Sequence, residues 1–287
     1  MTTVAVVSFL WRDPKAKHTG TYSFGAKHVN SLFRQLAKGA KALEGHHEFR
    51  FFLFTDYPDI SGFDLTTGLT VIPLWGDYRD LGRCFTRLKL FDPAVRDKYL
   101  HGGVVPEAAS SAGECERKRA DFTVMIDLDV VIIKPEEFLR TLATKNRMQP
   151  FLGYRDTKNP RCYSGALWRI DEGHYGRFKN VADTFRHIYD TAVATGTLGE
   201  FFAGWNAESS FVGSDQCWIT SIIGEHTYPD KLSDRDGIWD FWTVENLPGG
   251  ELPTNTIAVF VNGMRRDASM KEFQARYPWM VEHWENV

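Results

Sequence analysis

Short apolar runs alternate with segments of helical spacing along this chain of 287 residues, and that alternation constrains the fold more than any other feature. Val4–Leu10 is an apolar run of strand length. Within Tyr22–Leu43, the residues Val29, Leu32, Phe33, Leu36, Ala40 and Leu43 recur three and four apart, which predicts a helix. Phe49–Phe54 and Leu69–Leu74 predict further strands. Leu81–Tyr99 reads as a helix broken at Pro93. Phe122–Ile126 is an apolar strand start that continues, after Asp127-Leu128-Asp129, into Val130–Ile133. Pro135–Ala143 reads as a short helix opened by its proline. Further on, Pro150–Gly153, Tyr163–Ile170 and Ile257–Val261 read as strands. Tyr175–Thr195, Ser214–Gly224 and Met270–Trp284 read as helices, with Ser214 as an N-cap. Strands alternating with helices bury their apolar faces in an α/β arrangement whose sheet is mainly parallel at its N-terminal end. Such sheets place ligands at the carboxyl ends of their strands. No repeat, low-complexity tract or linker divides the chain, so a single domain spanning residues 1–287 is expected.

Composition narrows the class. Hydrophobic residues make up 43% and aromatic residues 14%, which excludes a disordered chain. The formal net charge of -3 excludes a generally basic nucleic-acid coat, and the basic residues are scattered. The four cysteines form no CxxC pair, which argues against a disulfide scaffold or a structural zinc site. Met1–Trp11 is apolar but lacks a basic segment ahead of it, so it reads as a first strand rather than a signal peptide. No apolar run approaches the ~20 residues needed to span a bilayer. A soluble cytoplasmic protein with no membrane span is the expectation. The segment His101–Arg119, rich in small and charged residues, reads as a surface insertion that orders over bound substrate.

The sharpest local feature is Asp127-Leu128-Asp129. Side chains alternate along an extended chain, so the two carboxylates share one face and Leu128 takes the other. Two adjacent carboxylates repel unless a cation lies between them. Oxygen ligands suit Mg²⁺ or Mn²⁺, and such a metal commonly also takes substrate phosphate oxygens. A surface turn is the competing reading. The second such triplet, Asp234-Arg235-Asp236, has no apolar strand ahead of it and reads as a solvated loop. Arg83 and Arg87 are four apart and would share one helix face, with Lys89 pointing elsewhere. They read either as a solvated face or as a charge clamp on a diphosphate.

Five segments in order resemble the GT-A fold sugar-nucleotide glycosyltransferases, in particular the retaining type related to glycogenin and the bacterial galactosyltransferases. The strand and helix Val4–Leu43 lead to Phe52-Leu53-Phe54-Thr55-Asp56, similar to that family's "fvfTD" strand end. Phe85-Thr86-Arg87-Leu88-Lys89-Leu90-Phe91 resembles its helix with a donor-contacting basic residue. Asp127-Leu128-Asp129-Val130-Val131 resembles its DxD strand end. Tyr163-Ser164-Gly165-Ala166-Leu167 is similar to its "NSG" strand, and Gly213-Ser214-Asp215-Gln216 to its "DQ" helix start. Two departures stand out. Tyr163 replaces the asparagine before Ser-Gly, and Val259-Phe260-Val261-Asn262-Gly263 lacks the late histidine that serves the family as third metal ligand.

The resemblance implies an α/β, Rossmann-like GT-A fold around a mainly parallel central sheet. It implies a nucleotide-binding part at about residues 1–135 and an acceptor-side part at about 136–287. The expected activity is metal-dependent transfer of a hexose from a UDP-sugar, with retention, using Mn²⁺ or Mg²⁺. Asp127 and Asp129 are the implied metal ligands, with Asn262 or a water in the position of the family's histidine. Ser8, Leu10, Trp11 and Asp56 would frame the nucleoside. Arg83, Arg87, Lys89, Leu128, Ser164, Gly165, Gly263, Arg265 and Arg266 complete the donor contacts, and Asp215 and Gln216 are the catalytic candidates beside the sugar. The acceptor is open: a saccharide, a protein, a small molecule or a modified DNA base. Two rivals remain. One is a nucleotidyltransferase, although Trp11–Thr21 lacks a convincing glycine-rich loop; the other is a non-catalytic sugar-nucleotide-binding protein of the same fold.

Overall fold

The computed structural model describes residues 1–11, 24–57, 59–74, 83–101, 119–155, 163–178, 181, 187, 190–191, 194–196, 215–223, 230–247, 251–261 and 277–283. In chain order its main elements are β1 (Thr2–Leu10), α1 (Ala26–Ala42), β2 (His47–Thr55), β3 (Leu69–Pro73), β4 (Phe122–Ile126), β5 (Val130–Ile132), α2 (Pro135–Thr144), β6 (Phe151–Arg155) and β7 (Tyr163–Asp171). These are followed by α3 (Asp215–Ile223), β8 (Ile238–Asp240), α4 (Phe241–Glu245), β9 (Ala258–Phe260) and α5 (Pro278–His283). Among the described residues no helix is long and apolar enough to cross a membrane.

The chain forms two compact units. The first comprises residues 1–73, 126–146 and 232–287, and the second residues 74–125 and 147–231. The first unit carries strands in the order β3-β2-β1, and the second carries strands in the order β4-β7-β6. β1 pairs with β2 and β2 with β3, both in parallel, while β6 and β7 are antiparallel. A second, three-stranded sheet, ordered β5-β9-β8, lies in the first unit.

In the first unit all nine residues of β1 are buried, as a strand covered on both faces requires. The helical spacing in α1 places Val29, Leu32, Phe33 and Leu36 in the core. The helix starts at Gly25, which is extended and has no side chain to cap with. The backbone N–H of Gly25 instead donates to Nδ1 of His28 at 3.1 Å. Burial, and secondarily the charge of Lys27, lowers the His28 pKa from 6.5 to about 4, so the ring is neutral when it accepts this bond. Gly39 lets α1 lie against the start of α2, because a Cβ there would sit 2.5 Å from the Pro135 carbonyl oxygen. The three-stranded sheet rests on an apolar cluster that includes Val131, Phe241, Val244, Val259, Tyr277 and Met280. Phe241, 1% exposed, belongs to this cluster and Trp239 packs against it, while Asp240 accepts the N–H of Thr243 to cap α4. β8 and α4 are too short for their periodicity to announce them.

The second unit departs from its expected helix over Leu81–Tyr99. Arg83–Phe91 is a 3₁₀ helix, Pro93–Val95 a single α turn capped by Asp92, and Arg96–Leu100 a π-helical turn. Thr86, Arg87, Leu88, Leu90 and Phe91 are all buried. Burial on nearly consecutive positions leaves no single apolar stripe for a regular α-helix to present, and tertiary contacts override local preference. In a 3₁₀ helix, positions three apart align, not four, so the expected common face for positions 83 and 87 does not hold. Glu172–Arg177 is also 3₁₀, at the start of the expected helix Tyr175–Thr195.

Candidate functional site

The candidate residues of the first unit gather at two strand ends. β1 and β2 run in register, with Leu10 opposite Thr55, so Trp11 and Asp56 leave adjacent parallel strands at the same level. The N–H of Tyr57 donates to Thr55 Oγ1 at 3.2 Å and turns the chain just beyond Asp56. Ser8 and Leu10 are buried, and the Ser8 hydroxyl finds no partner among the described residues. Trp11 and Asp56 are half-buried.

Asp127 and Asp129 follow β4, and both are half-buried, while Leu128 between them is 3% exposed. Leu128 enters the core between two half-buried acids, in a bend between β4 and β5 rather than in extended strand. The second sheet holds this stretch in place. Val130 pairs with Phe260 across β5 and β9, and the N–H of Val261 donates to the Asp129 carbonyl at 2.8 Å. Among the described residues no three His, Cys, Asp or Glu side chains converge as a metal-binding group. Asn262, Gly263, Arg265 and Arg266 lie outside the described residues. The other acidic triplet is different in kind. Asp234 and Arg235 are exposed in a 3₁₀ turn, and Asp236 pairs with Lys145 and accepts the N–H of Ser233.

The second unit joins three segments that are far apart in sequence. Nε2 of Gln216, in the first turn of α3, lies 3.4 Å from Ser164 Oγ on β7, and this hydroxyl also accepts the N–H of Ala166 at 3.2 Å. One residue on, the Gly165 carbonyl accepts Nη1 of Arg87 at 3.1 Å. Arg87 is 8% exposed, so it is a buried tie to β7 rather than part of a solvated face. Lys89 is half-buried. The side chains of Arg83 and Asp215 lie outside the described residues. Tyr163 is fully buried, edge-on to Phe151 at 5.0 Å, and its N–H donates to Thr220 Oγ1 on α3 at 3.0 Å. The residue standing in for the family's asparagine is thus a core aromatic that fastens β7 to α3. Gly153 makes room for it, since a Cβ there would lie 2.5 Å from the Tyr163 ring.

Sequence reasoning missed a buried ionic cluster in the same unit. Arg96 is 1% exposed, pairs with Glu172 and donates to the Leu90 carbonyl at 2.6 Å and to Thr123 Oγ1 at 3.1 Å. Its guanidinium lies 4.3 Å from the centroid of the Tyr175 ring. Burial lowers the Arg96 pKa to about 9, which leaves it charged at neutral pH. Burial likewise lowers that of Arg169, stacked 4.4 Å over Phe122, to about 10. No local pattern marks Arg96 or Glu172, because Thr123 and Glu172 lie 27 and 76 positions along the chain from Arg96.

An active-site mutant of LgtC matches with a TM-score of 0.50 at 11% identity, over 99% of this chain and 97% of that one. The glycosyltransferase GlyE of Streptococcus pneumoniae TIGR4 matches with a TM-score of 0.54 at 10% identity, over 100% of this chain and 62% of GlyE. The chain has the GT-A glycosyltransferase fold. No protein-family model matches it, and no curated protein does. In this GT-A chain the DxD triplet terminates β4, and the segments resembling "NSG" and "DQ" meet through Ser164 and Gln216.

Proposed function

We propose that this chain is a glycosyltransferase that moves a hexose from a UDP-sugar to an acceptor hydroxyl, with retention at the anomeric carbon. The observation that carries the reading is the surfacing of Asp127 and Asp129 around a buried Leu128 at the end of an apolar strand of a GT-A fold. The fold likeness to the glycosyltransferase GlyE supports the same class.

The residues present fit a divalent metal. Asp127 and Asp129 supply hard oxygen donors on either side of a buried Leu128, and Asn262 follows Val261, the residue hydrogen-bonded to the Asp129 backbone. Bound there, Mn²⁺ or Mg²⁺ supplies neutralisation of the diphosphate leaving group. Ser8, Leu10, Trp11 and Asp56 frame the nucleoside at the ends of β1 and β2. Lys89, Arg83, Arg265 and Arg266 add positive charge for the diphosphate, and Leu128 and Gly263 offer backbone contacts. Arg87 acts at one remove: by holding the Gly165 carbonyl it steadies the Ser164-Gly165 stretch against Gln216. Asp215 and Gln216 orient the sugar, and the departing diphosphate takes the acceptor proton on the same face of the ring. Nucleotide contacts fall mainly within residues 1–135 and acceptor contacts within 136–287.

A screen of sugar nucleotides with and without Mn²⁺ tests this reading. Metal-dependent release of free UDP is expected. Nucleotide binding without turnover would instead favour a non-catalytic binding protein. An NMR time course with an α-linked donor checks the stereochemistry, and a first-formed β linkage would overturn retention.

A further inference from the structure

The buried cluster of the second unit has a feature that the proposed reaction does not use. His101 and Arg119, the residues on either side of positions 102–118, both reach the same carboxylate oxygen. His101 Nε2 lies 3.2 Å from Glu172 Oε2, and Arg119 Nη2 lies 4.0 Å from it. The other carboxylate oxygen faces inward, where it accepts Thr123 Oγ1 at 2.5 Å and pairs with Arg96. The backbone of Glu172 is fixed too, its N–H donating to the Asp121 carbonyl at 2.9 Å. The glutamate side chain is 2% exposed, His101 is 6% exposed and Arg119 is 58% exposed.

We propose that Glu172 is an ionic clasp that fixes both flanks of positions 102–118 at one point of the fold. Its inner oxygen is held by groups of the core, and its outer oxygen holds the two flanks. Arg96, Thr123 and His101 converge on one buried carboxylate in a setting shielded from water, and Arg119 adds an exposed ion pair at 4.0 Å. Arg96 holds the carboxylate in place. It is itself held by the Leu90 carbonyl and the Tyr175 ring. The start of β4 is tied into the same cluster through Thr123, so both flanks are referred to the strand that ends before Asp127. The clasp is independent of what the protein binds or transfers.

Hydrogen exchange on the full-length protein tests it, read on peptides covering residues 96–101 and 119–123. Glu172→Gln keeps the shape of the side chain but removes its charge. Exchange should rise together on both flanks, by about tenfold or more, since the hydrogen bonds lost are made to a charged group. Amides of α1 and β2 should not change. Arg119→Ala, at an exposed position, should raise exchange on the 119–123 flank by about threefold at most. In the Glu172→Gln background it should add almost nothing, because its partner is already lost. If Glu172→Gln does not fold, His101→Asn and Arg119→Ala form the same cycle and should be non-additive. Loosening of only one flank, or full additivity in either cycle, would overturn the clasp.

Discussion

Asp127 and Asp129 reach the surface from one continuous stretch of chain, whereas the Gln216, Ser164 and Arg87 group is gathered from three. The first depends on a buried Leu128 between the acids, just past the end of β4. The second depends on a strand, a 3₁₀ helix and an α-helix held together by hydrogen bonds across 52 and 78 positions. A contiguous site survives as long as its strand does. A gathered site survives only while every tie holds, so a change in it combines loss of chemistry with loss of structure.

That contrast can be broken by substitution. The largest effect is expected at the acids. Asp127→Asn or Asp129→Asn should lower UDP release by about 10²–10³-fold, the scale on which preorganised charge stabilisation acts. The melting temperature should hold, and calorimetry should find UDP affinity no longer increased by Mn²⁺. A lower melting temperature with unchanged turnover would make the triplet a surface turn. Next comes Asp215→Asn, which should reduce turnover by about 10²-fold with a much smaller change in UDP affinity. Equal losses in both would place Asp215 with the nucleotide instead of the sugar.

Arg87→Ala should destabilise the second unit by about 1–3 kcal/mol, since it leaves the Gly165 carbonyl unsatisfied in a buried setting. Denaturant unfolding should register this loss, with turnover falling in parallel. Were Arg87 instead a direct clamp, UDP affinity would fall with stability intact, and the two candidate groups would no longer differ in kind.

The smallest effect is a pH dependence confined to the first unit. His28 has its pKa lowered by burial to about 4 from an ordinary 6.5, so the folded state binds fewer protons than the unfolded state across that window. The stability contributed by the neutral ring is present above pH 6.5 and is lost as the pH falls toward 4. Urea midpoints measured from pH 7 down to about 4.5 should fall in the native protein, and by less in His28→Gln. An identical acid slope in the two would exclude His28 as the source.

The glycine positions show how sequence and structure divide the explanation. Gly39 interrupts an otherwise ordinary amphipathic helix, and nothing nearby in sequence explains it. The reason is the Pro135 carbonyl, 96 positions on, which occupies the space a Cβ would need. Helix α1, strands β1 to β4 and the acidic strand end follow from apolar period and burial, which are local properties, and their positions differ from the sequence reading by only a few residues. The helix type of Arg83–Phe91 does not follow, because it is set by burial on nearly every side.

The alternating α/β order and the burial of Leu128 between two more exposed acids are legible in the sequence, since both follow from side-chain character along one segment. The tertiary structure alone decided that Tyr163 is core, that Arg87 serves the β7 backbone and that Glu172 gathers Arg96, Thr123, His101 and Arg119. A buried charge is tolerated only where distant partners satisfy it, and no local pattern of residues specifies which distant partners those will be.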